Sequence, residues 1–298
     1  MQIHTLDLNF QNTPNTIASY LVVGPGGPVL VETGPGSTLA TMKKCLSEHG
    51  FVPTDVKNVL VTHIHLDHAG AAGWWAQQGA QIFVHHVGAP HLIDPSKLLA
   101  SAGRIYGDLM DPLWGKMQPA PADRVTSVSD GDTITVAGLS FMAIDTPGHA
   151  YHHHVYQLDG VAFTGDAAGI HIPGPAFVDL PAPPPEFNRD LWLQTVERLG
   201  ELDLEAIYPT HFGRVDDWRG HLQAFHQLIS DASEFVRIQI EEDLDRDEIL
   251  GAYLEWQMKR AGSAQIGEFL AKRYEVSNPL YMSVDGMIRY WNKRKAGR

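Results

Sequence analysis

The sequence has very little cysteine and no long apolar run. Cys45 is the single cysteine among 298 residues, so no disulfide can form within the chain. No stretch approaches about 18 consecutive apolar residues, so we expect no transmembrane helix. Residues 1–5 have neither the basic start nor the apolar run of a secretory signal peptide. We therefore expect a cytoplasmic protein in a reducing compartment, with no membrane partner.

Positive charge is also scarce. The chain has 22 lysine and arginine residues against 35 aspartate and glutamate residues, which gives a net charge of −13. This balance repels a polyanion at long range and argues against nucleic acid as a partner. It does not exclude a small anionic substrate, because metal ions dominate their own local field. We expect a small-molecule substrate, and a homodimer is left open.

Short β-type runs and turn residues alternate along the first two thirds of the chain. The Asp159-Gly160 pair between two such runs predicts a β-hairpin. After Asp216 the apolar residues follow helical spacing. We therefore predict an α/β catalytic domain at 1–215 and a helical region at 216–298. The predicted strands are 17–23, 29–31, 59–62, 81–86, 133–136, 139–144, 155–158, 161–164 and 206–208.

Two segments of the predicted α/β domain lack a strand pattern. Residues 87–122 are interpreted as a helical or irregular insertion, in which 104–117 is a lid over the site or part of the core. Residues 173–185 contain six prolines, which predicts an extended loop. The sequence does not decide whether 104–117, 173–185 or the C-terminal helices line the pocket.

The sequence His63-Ile64-His65-Leu66-Asp67-His68 carries three imidazoles and a carboxylate in one short segment. All four side chains are metal-ligand types, and this spacing disfavours the alternative of an ordinary polar surface loop. The segment follows the predicted strand 59–62. Functional sites of α/β folds often form where a strand ends and a loop begins.

Three further ligand types follow predicted strands in the same way. His149, Asp166 and His211 come directly after the strands that end near 144, 164 and 208. Strand ends along one edge of a sheet converge, so these side chains can meet the first loop. Imidazole and carboxylate ligands suit zinc, and also iron or manganese. The other nearby histidines are interpreted as solvent-facing or supporting groups: His85, His86, His152, His153 and His154. His171 is left open as a candidate for the pocket wall.

In this order, the motifs T-H-I-H-L-D-H at 62–68, T-P-G-H at 146–149, T-G-D at 164–166 and P-T-H-F-G at 209–213 resemble those of the metallo-β-lactamase superfamily. The resemblance covers about residues 1–215 and implies a four-layer αββα sandwich, here with a C-terminal helical appendage. It implies two divalent metal ions, zinc first among the candidates. One ion would be held by His63, His65 and His149, and the other by Asp67, His68 and His211, with Asp166 bridging both.

This resemblance also implies a reaction. Two metal ions lower the pKa of a shared water toward ~7 and clamp an oxyanion, and Asp67 would orient the hydroxide and accept its proton. The expected activity is hydrolysis of a small ester, thioester, lactone or phosphoester. Asp166 points away from true β-lactamases, which lack the bridging aspartate. Glu32 occupies a position where the family usually has an aspartate that supports the metal ligands without binding a metal itself. No C-terminal motif matches glutathione binding, so glyoxalase II is not assigned.

Two other functions remain open at this stage. Persulfide dioxygenases resemble this framework but use a single iron, so metal analysis and oxygen uptake would separate an oxygenase from a hydrolase. A non-catalytic binding or scaffold protein on the same fold is the alternative from another class. Such proteins typically lose metal ligands, and all seven positions are occupied here by ligand types. The substrate itself is not readable from the sequence.

Overall fold

A computed structural model describes residues 1–296 of the chain. Its first sheet has the strand order β1-β2-β3-β4-β5-β6. The pairs β1/β2 and β2/β3 are antiparallel, whereas β3 to β6 run parallel to one another. Its strands are β1 Gln2–Asp7, β2 Ala18–Gly24, β3 Gly27–Val31, β4 Asn58–Leu60, β5 Gln81–His85 and β6 Val125–Val128.

The second sheet has the order β11-β10-β9-β8-β7. Only the β10/β11 pair is parallel among these strands. The predicted hairpin forms at Asp159-Gly160, with Val161 paired to Leu158. Its strands are β7 Thr133–Val136, β8 Leu139–Asp145, β9 His154–Leu158, β10 Val161–Gly165 and β11 Ala206–Pro209.

Helices cover the outer faces of both sheets. In chain order, α1 to α6 lie between strands of the first sheet, α7 lies between β10 and β11 of the second sheet, and α8 to α11 follow β11. The helices are α1 Leu39–Glu48, α2 Leu66–Ala69, α3 Ala72–Gln77, α4 Ala89–Ile93, α5 Ser96–Tyr106, α6 Met110–Trp114, α7 Arg189–Gly200, α8 Trp218–Glu241, α9 Arg246–Ser263, α10 Glu268–Ser277 and α11 Leu280–Ala296.

Three apolar clusters separate four layers. The first lies between sheet one and its helices, where Leu30 and Val59 pack with Trp75. The second lies between the two sheets and joins residues such as Tyr20 and Phe163. The third lies between sheet two and the C-terminal helices, and its larger members are Trp192, Phe225, Tyr253 and Met287. Burying apolar side chains on both faces of each sheet produces an αββα sandwich, as the sequence predicted.

Most predicted elements match the structure closely. The strand 133–136 is found at those residues, and 87–122 contains the three helices α4, α5 and α6. The segment 173–185 is an extended loop with one isolated bridge at Asp179. The sequence did not predict β1 or β6. Both lie at the edges of sheet one, where half-exposed strands carry a weaker apolar pattern.

The C-terminal helices share an apolar cluster with α7 and sheet two, so packing is continuous across residue 215. The division into 1–215 and 216–298 therefore stays a prediction. α11 begins at Leu280 and extends to Ala296. Within residues 1–296, none of the helices is long and apolar enough to cross a membrane.

Candidate metal centre

The histidine-rich segment lies between sheet one and a short helix. β4 ends at Leu60, two residues earlier than the predicted strand, and α2 begins at Leu66. His63 and His65 stand in the intervening loop, whereas Asp67 and His68 belong to the first turn of α2. The buried strand behind them fixes the loop, so all four side chains reach the same carboxyl end of the sheet.

The second sheet supplies the other three side chains. His149 follows β8, Asp166 follows β10 and His211 follows β11. Gly165 immediately precedes Asp166 and has φ +51°, and a Cβ there would lie 2.4 Å from the hydroxyl oxygen of Thr62. The glycine of the T-G-D motif is therefore required for the close approach of the two sheets at this point.

Ligand-type atoms from both sheets converge on one small region. His68 Nε2 lies 3.4 Å from Asp166 Oδ1, and His149 Nε2 lies 3.3 Å from Asp166 Oδ2. His211 Nε2 lies 3.3 Å from Asp67 Oδ2. Zinc–nitrogen bonds of about 2.0–2.1 Å in tetrahedral geometry place neighbouring ligand atoms about 3.3–3.4 Å apart. The spacing of these atoms is therefore that of ligands around a metal ion.

The seven side chains fall into sets that are each compact enough to hold an ion. Within every set the donor atoms lie within 4.8 Å of one another. Two sets match those implied by the family resemblance, and Asp166 forms a third with residues from both. The sets are His63, His65 and His149; Asp67, His68 and His211; and His63, His68 and Asp166.

Several of these donor atoms are buried without a hydrogen-bond partner among the described residues. They are His63 Nε2, His68 Nε2 and Asp166 Oδ1. A buried polar atom without a partner costs about 1–3 kcal/mol, so native proteins seldom leave three together. Bound cations would satisfy all three atoms, and the residues present therefore fit a metal site.

In two of the imidazoles, a hydrogen bond made by Nδ1 directs Nε2 toward the centre of the cluster. His149 Nδ1 donates to the carbonyl oxygen of Pro181 at 2.7 Å, and His211 Nδ1 donates to that of Thr16 at 2.6 Å. A carbonyl oxygen can only accept, so Nδ1 carries the proton in both rings. The lone pair of each neutral ring then lies on Nε2, the atom that faces the cluster.

Glu32 supports the cluster from behind. Its buried carboxylate lies 3.3 Å from His68 Nδ1 and accepts hydrogen bonds from the hydroxyls of Thr62 and Thr210. The longer side chain at this position therefore still reaches a ligand-type histidine. It fixes the ring of His68 so that Nε2 points toward Asp67 and Asp166.

The site's electric field favours added positive charge. Burial opposes ionisation of His68, but the carboxylates of Asp67, Asp166 and Glu32 raise its pKa well above the ordinary value. Burial, then the neighbouring imidazole of His149, lowers the pKa of His65 to about 3. The cluster thus contains neutral imidazoles beside carboxylates that attract a cation. A metal ion would take the place of the proton on His68.

The sequence predicted solvent-facing or supporting roles for His152 and His153 but did not identify their partners. His153 is fully buried and its Nε2 accepts a hydrogen bond from the backbone N–H of Asp166 at 3.1 Å, which positions that residue. His152 Nε2 lies 3.0 Å from a carboxylate oxygen of Glu186, and both form a further compact set with His65. The adjacent histidines after the T-P-G-H motif were the signal present in the sequence. That signal does not point to Glu186, which lies 34 residues after His152.

A cavity of about 590 Å³ opens onto the cluster. Asp67 and His65 form part of its floor, and Asp67 is the more exposed of the two aspartates, at 19%. All three segments left undecided by the sequence line this cavity: the helical insertion, the proline-rich loop and the C-terminal helices. His171 instead lines a separate cavity with His221.

A four-layer αββα sandwich with a histidine–aspartate cluster at its strand ends defines a class of divalent-metal-binding proteins. Residues 12–211 match the metallo-beta-lactamase superfamily. Because this match spans more than half of the sequence, the chain belongs to that superfamily. Its membership confirms the predicted family and fold class.

Two curated relatives illustrate the range of the family. The metallo-beta-lactamase fold-containing protein ST1585 of Sulfurisphaera tokodaii is 26% identical over 217 residues, which is 72% of this chain and 79% of the relative. An atrochrysone carboxyl ACP thioesterase of Aspergillus fumigatus is 26% identical over 207 residues, which is 68% of this chain. The chain spans about half the length of that thioesterase, 53%.

Solved structures share the whole architecture. A metallo-beta-lactamase family protein from Thermus thermophilus superposes with a TM-score of 0.70 at 22% identity. The superposition covers 99% of this chain and 94% of that protein. The C-terminal helices are therefore included in the shared fold. At this level of identity the likeness shows the fold alone.

Proposed function

We propose that this protein is a metal-dependent hydrolase with two divalent ions, most simply zinc, that cleaves a small ester, thioester, lactone or phosphoester. Among these bonds we favour the carboxylic ester or thioester. The superfamily consists mostly of hydrolases, and one relative is named as an ACP thioesterase. Bound ions would supply an activated water at neutral pH and stabilise negative charge on the substrate oxygen.

The placement of Asp166 carries the two-metal proposal. Its Oδ2 faces His149, whereas its Oδ1 lies 3.4 Å from His68 and 3.6 Å from His211. The two oxygens of one carboxylate therefore face different sets of imidazoles. A carboxylate with both oxygens committed in this way suits a bridge between two cations. A single-ion site would need only one of them.

Asp67 is the group best placed to accept a proton from the attacking water. Burial opposes its ionisation, but His68 and His211 lower its pKa to about 2, so it remains a carboxylate at neutral pH. Both aspartates line the cavity, and Asp67 is the more exposed, at 19% against 4% for Asp166. Asp67 can orient an attacking water by accepting a hydrogen bond and then receive the proton.

The remaining residues hold the substrate's reacting bond against the cluster. The cavity encloses the face of the site that Asp67 shares with His65, His149 and His152. Its apolar walls exclude bulk water, which strengthens electrostatic interactions with a developing oxyanion. These walls also limit access of competing nucleophiles from solution.

The test combines metal quantification with a hydrolase panel of thioesters, esters, lactones, phosphodiesters and β-lactams. We expect two divalent ions per chain and turnover of an acyl substrate. Asp67→Asn should lower kcat by about 10²–10⁴-fold. Asp247→Asn, which changes an aspartate that is 85% exposed on α9, is the matched control and should retain full activity. One iron per chain with oxygen uptake would overturn the hydrolase proposal in favour of an oxygenase, and unchanged activity in Asp67→Asn would favour a non-catalytic role for the cluster.

A further inference from the structure

The cavity over the metal cluster has one polar end and a large apolar remainder. Its volume of about 590 Å³ lies within the usual range for small-molecule pockets, roughly 300–1,000 Å³. The cluster residues occupy the floor. Most other lining side chains are aliphatic, aromatic or proline, and they come from the insertion 87–122, the proline-rich loop and the C-terminal helices. A substrate therefore meets an extensive apolar surface beyond its reacting bond.

One face of the insertion carries a continuous apolar stripe toward this cavity. Leu98, Ala102 and Ile105 line it at the three- and four-residue spacing of one face of α5, and Leu109 in the following turn lines it as well. Ile105 is 40% exposed and Leu109 is 58% exposed. Protein packing thus leaves part of this stripe uncovered, and an apolar ligand in the cavity would bury it.

The other walls of the cavity are apolar as well. Phe10 stacks on Trp114 with 5.5 Å between ring centroids, and Trp114 meets Tyr106 edge-on at 5.1 Å. All three rings line the cavity, and the C-terminal helices add Val276 and Met282. Aromatic rings held by one another form a preorganised surface, so little side-chain freedom is lost when a chain packs against them.

The charges around the cavity disfavour an anionic tail. Among its described lining residues, Lys97 is the single lysine or arginine, whereas Glu186 and Glu275 add acidic groups beyond those of the metal cluster. A phosphate or carboxylate beyond the reacting bond would lose hydration and find only Lys97 as a matching cation, beside two acidic groups. An uncharged apolar group gains from the same environment.

We propose that the cavity binds a medium-length aliphatic chain of the substrate, so that this enzyme prefers esters or thioesters with an apolar chain over acetyl compounds. This inference rests on the proposed hydrolase function and names its substrate class. The chain lies along the α5 stripe and the Phe10–Trp114–Tyr106 rings, while the reacting carbonyl lies at the cluster. The C-terminal helices complete the binding cavity.

The first test is a chain-length series on the zinc-loaded full-length protein. Acyl thioesters of N-acetylcysteamine from two to ten carbons vary the acyl side, and acetyl thioesters of alkyl thiols vary the leaving side. Each added methylene should raise kcat/KM about fourfold in one of the two series until the cavity is full. The series that responds identifies which side of the bond carries the chain. A flat response in both series would overturn the proposal.

Ile105→Glu places a charge in the apolar stripe and, in whichever series responds to chain length, should reduce the ratio of kcat/KM for the longest chain to that for the shortest by at least tenfold. Ile238→Glu on α8 is a closely matched control, because Ile238 is also 40% exposed and does not line the cavity. It should leave the ratio unchanged. Equal ratios in both variants would contradict binding along the α5 stripe.

A binding measurement separates this proposal from the proposed hydrolysis. Decanol and ethanol are titrated into the zinc-loaded protein by calorimetry. Decanol should bind with a negative heat-capacity change, and Ile105→Glu should abolish that binding. If decanol binds in this way but no ester or thioester is cleaved, the hydrolase proposal fails and the cavity assignment stands. If acetyl thioesters are cleaved but decanol does not bind, the cavity assignment fails and the hydrolase proposal stands.

Discussion

Replacing Glu32 by glutamine tests whether the buried carboxylate behind the cluster sets its metal affinity. Glu32 is 1% exposed and accepts from Thr62 and Thr210 while it holds His68 Nδ1. Glutamine has nearly the same shape but no charge. Glutamine keeps one acceptor oxygen for these contacts, but its amide nitrogen is a donor and cannot accept from the N–H of Thr62, which now lies 3.4 Å from both carboxylate oxygens. Glu32→Gln therefore weakens several contacts without removing the side chain.

The magnitude follows from these contacts. Hydrogen bonds to a charged group contribute about 1.5–3 kcal/mol, against about 0.5–1.5 kcal/mol for neutral pairs. Loss of the charge behind His68 then weakens that imidazole as a ligand by about 1–2 kcal/mol. Substitutions of such supporting groups typically lower metal affinity about 10–100-fold. We expect a loss of roughly tenfold or more for Glu32→Gln, confined to the ion that His68 holds.

The assay is competition between the protein and a chromophoric zinc chelator, which resolves a tight and a weak site. Glu32→Asp should fall between the natural protein and Glu32→Gln, because it keeps the charge but shortens the reach. Glu234→Gln removes an exposed carboxylate that pairs with Arg237 on α8 and serves as the control. Unchanged affinity of both zinc sites in folded Glu32→Gln would refute the argued role of Glu32.

Three further outcomes are expected. Gly148→Ala should lower stability by about 2–3 kcal/mol, since Gly148 has φ +140° and a Cβ would lie 2.4 Å from Trp192 Cα; urea unfolding measures this. Burial, together with a smaller effect of the nearby His85 imidazole, lowers the pKa of His154 to about 3. The folded state therefore binds fewer protons than the unfolded state below pH ~6.5. Its stabilising contribution is complete above that pH and falls by about 1.4 kcal/mol per unit on acidification, a slope that His154→Gln should remove. Removal of zinc by a chelator should lower the free energy of unfolding by about 4 kcal/mol, relative to protein in free zinc at a thousandfold excess over its dissociation constant.

The steric prediction has a matched control, and each of the three outcomes has a result that would contradict it. Gly251→Ala on α9 adds a Cβ where no atom of the described chain lies within 4 Å, and it should be neutral or stabilising by up to about 1 kcal/mol. If both glycine variants behave alike, the steric argument at Gly148 is wrong. Parallel pH profiles for the natural protein and His154→Gln would contradict the lowered pKa. A melting temperature unaffected by chelator would contradict coupling between metal and fold.

The order of motifs was enough to predict the fold and the cluster. His63, His149, Asp166 and His211 each follow a strand, and strand direction alone brings their side chains to one end of the two sheets. Metal chemistry also restricts the residue types strongly, so these positions stand out in a single sequence. That the cluster binds two ions stays a prediction, as does the role assigned to each ligand.

The supporting groups and the cavity could not be predicted in the same way. Glu186 and His152 approach each other only because the proline-rich loop returns over the strand ends. Ile105 and Met282 line one cavity although they lie in separate helical regions. Such neighbours have no sequence spacing in common, and an apolar residue facing a cavity has the same local pattern as one facing the core.

The proline-rich loop connects the cavity to the histidine–aspartate cluster. His149 is anchored by the carbonyl oxygen of Pro181, and that proline also lines the cavity. Asn278 and Ser283 in turn hold the loop through the carbonyl oxygen of Leu180. A displacement of the C-terminal helices would therefore move both the apolar wall and an anchor of the metal cluster. Substrate fit and ligand geometry are coupled through this loop, so variants that loosen it should affect binding of long chains and of zinc together.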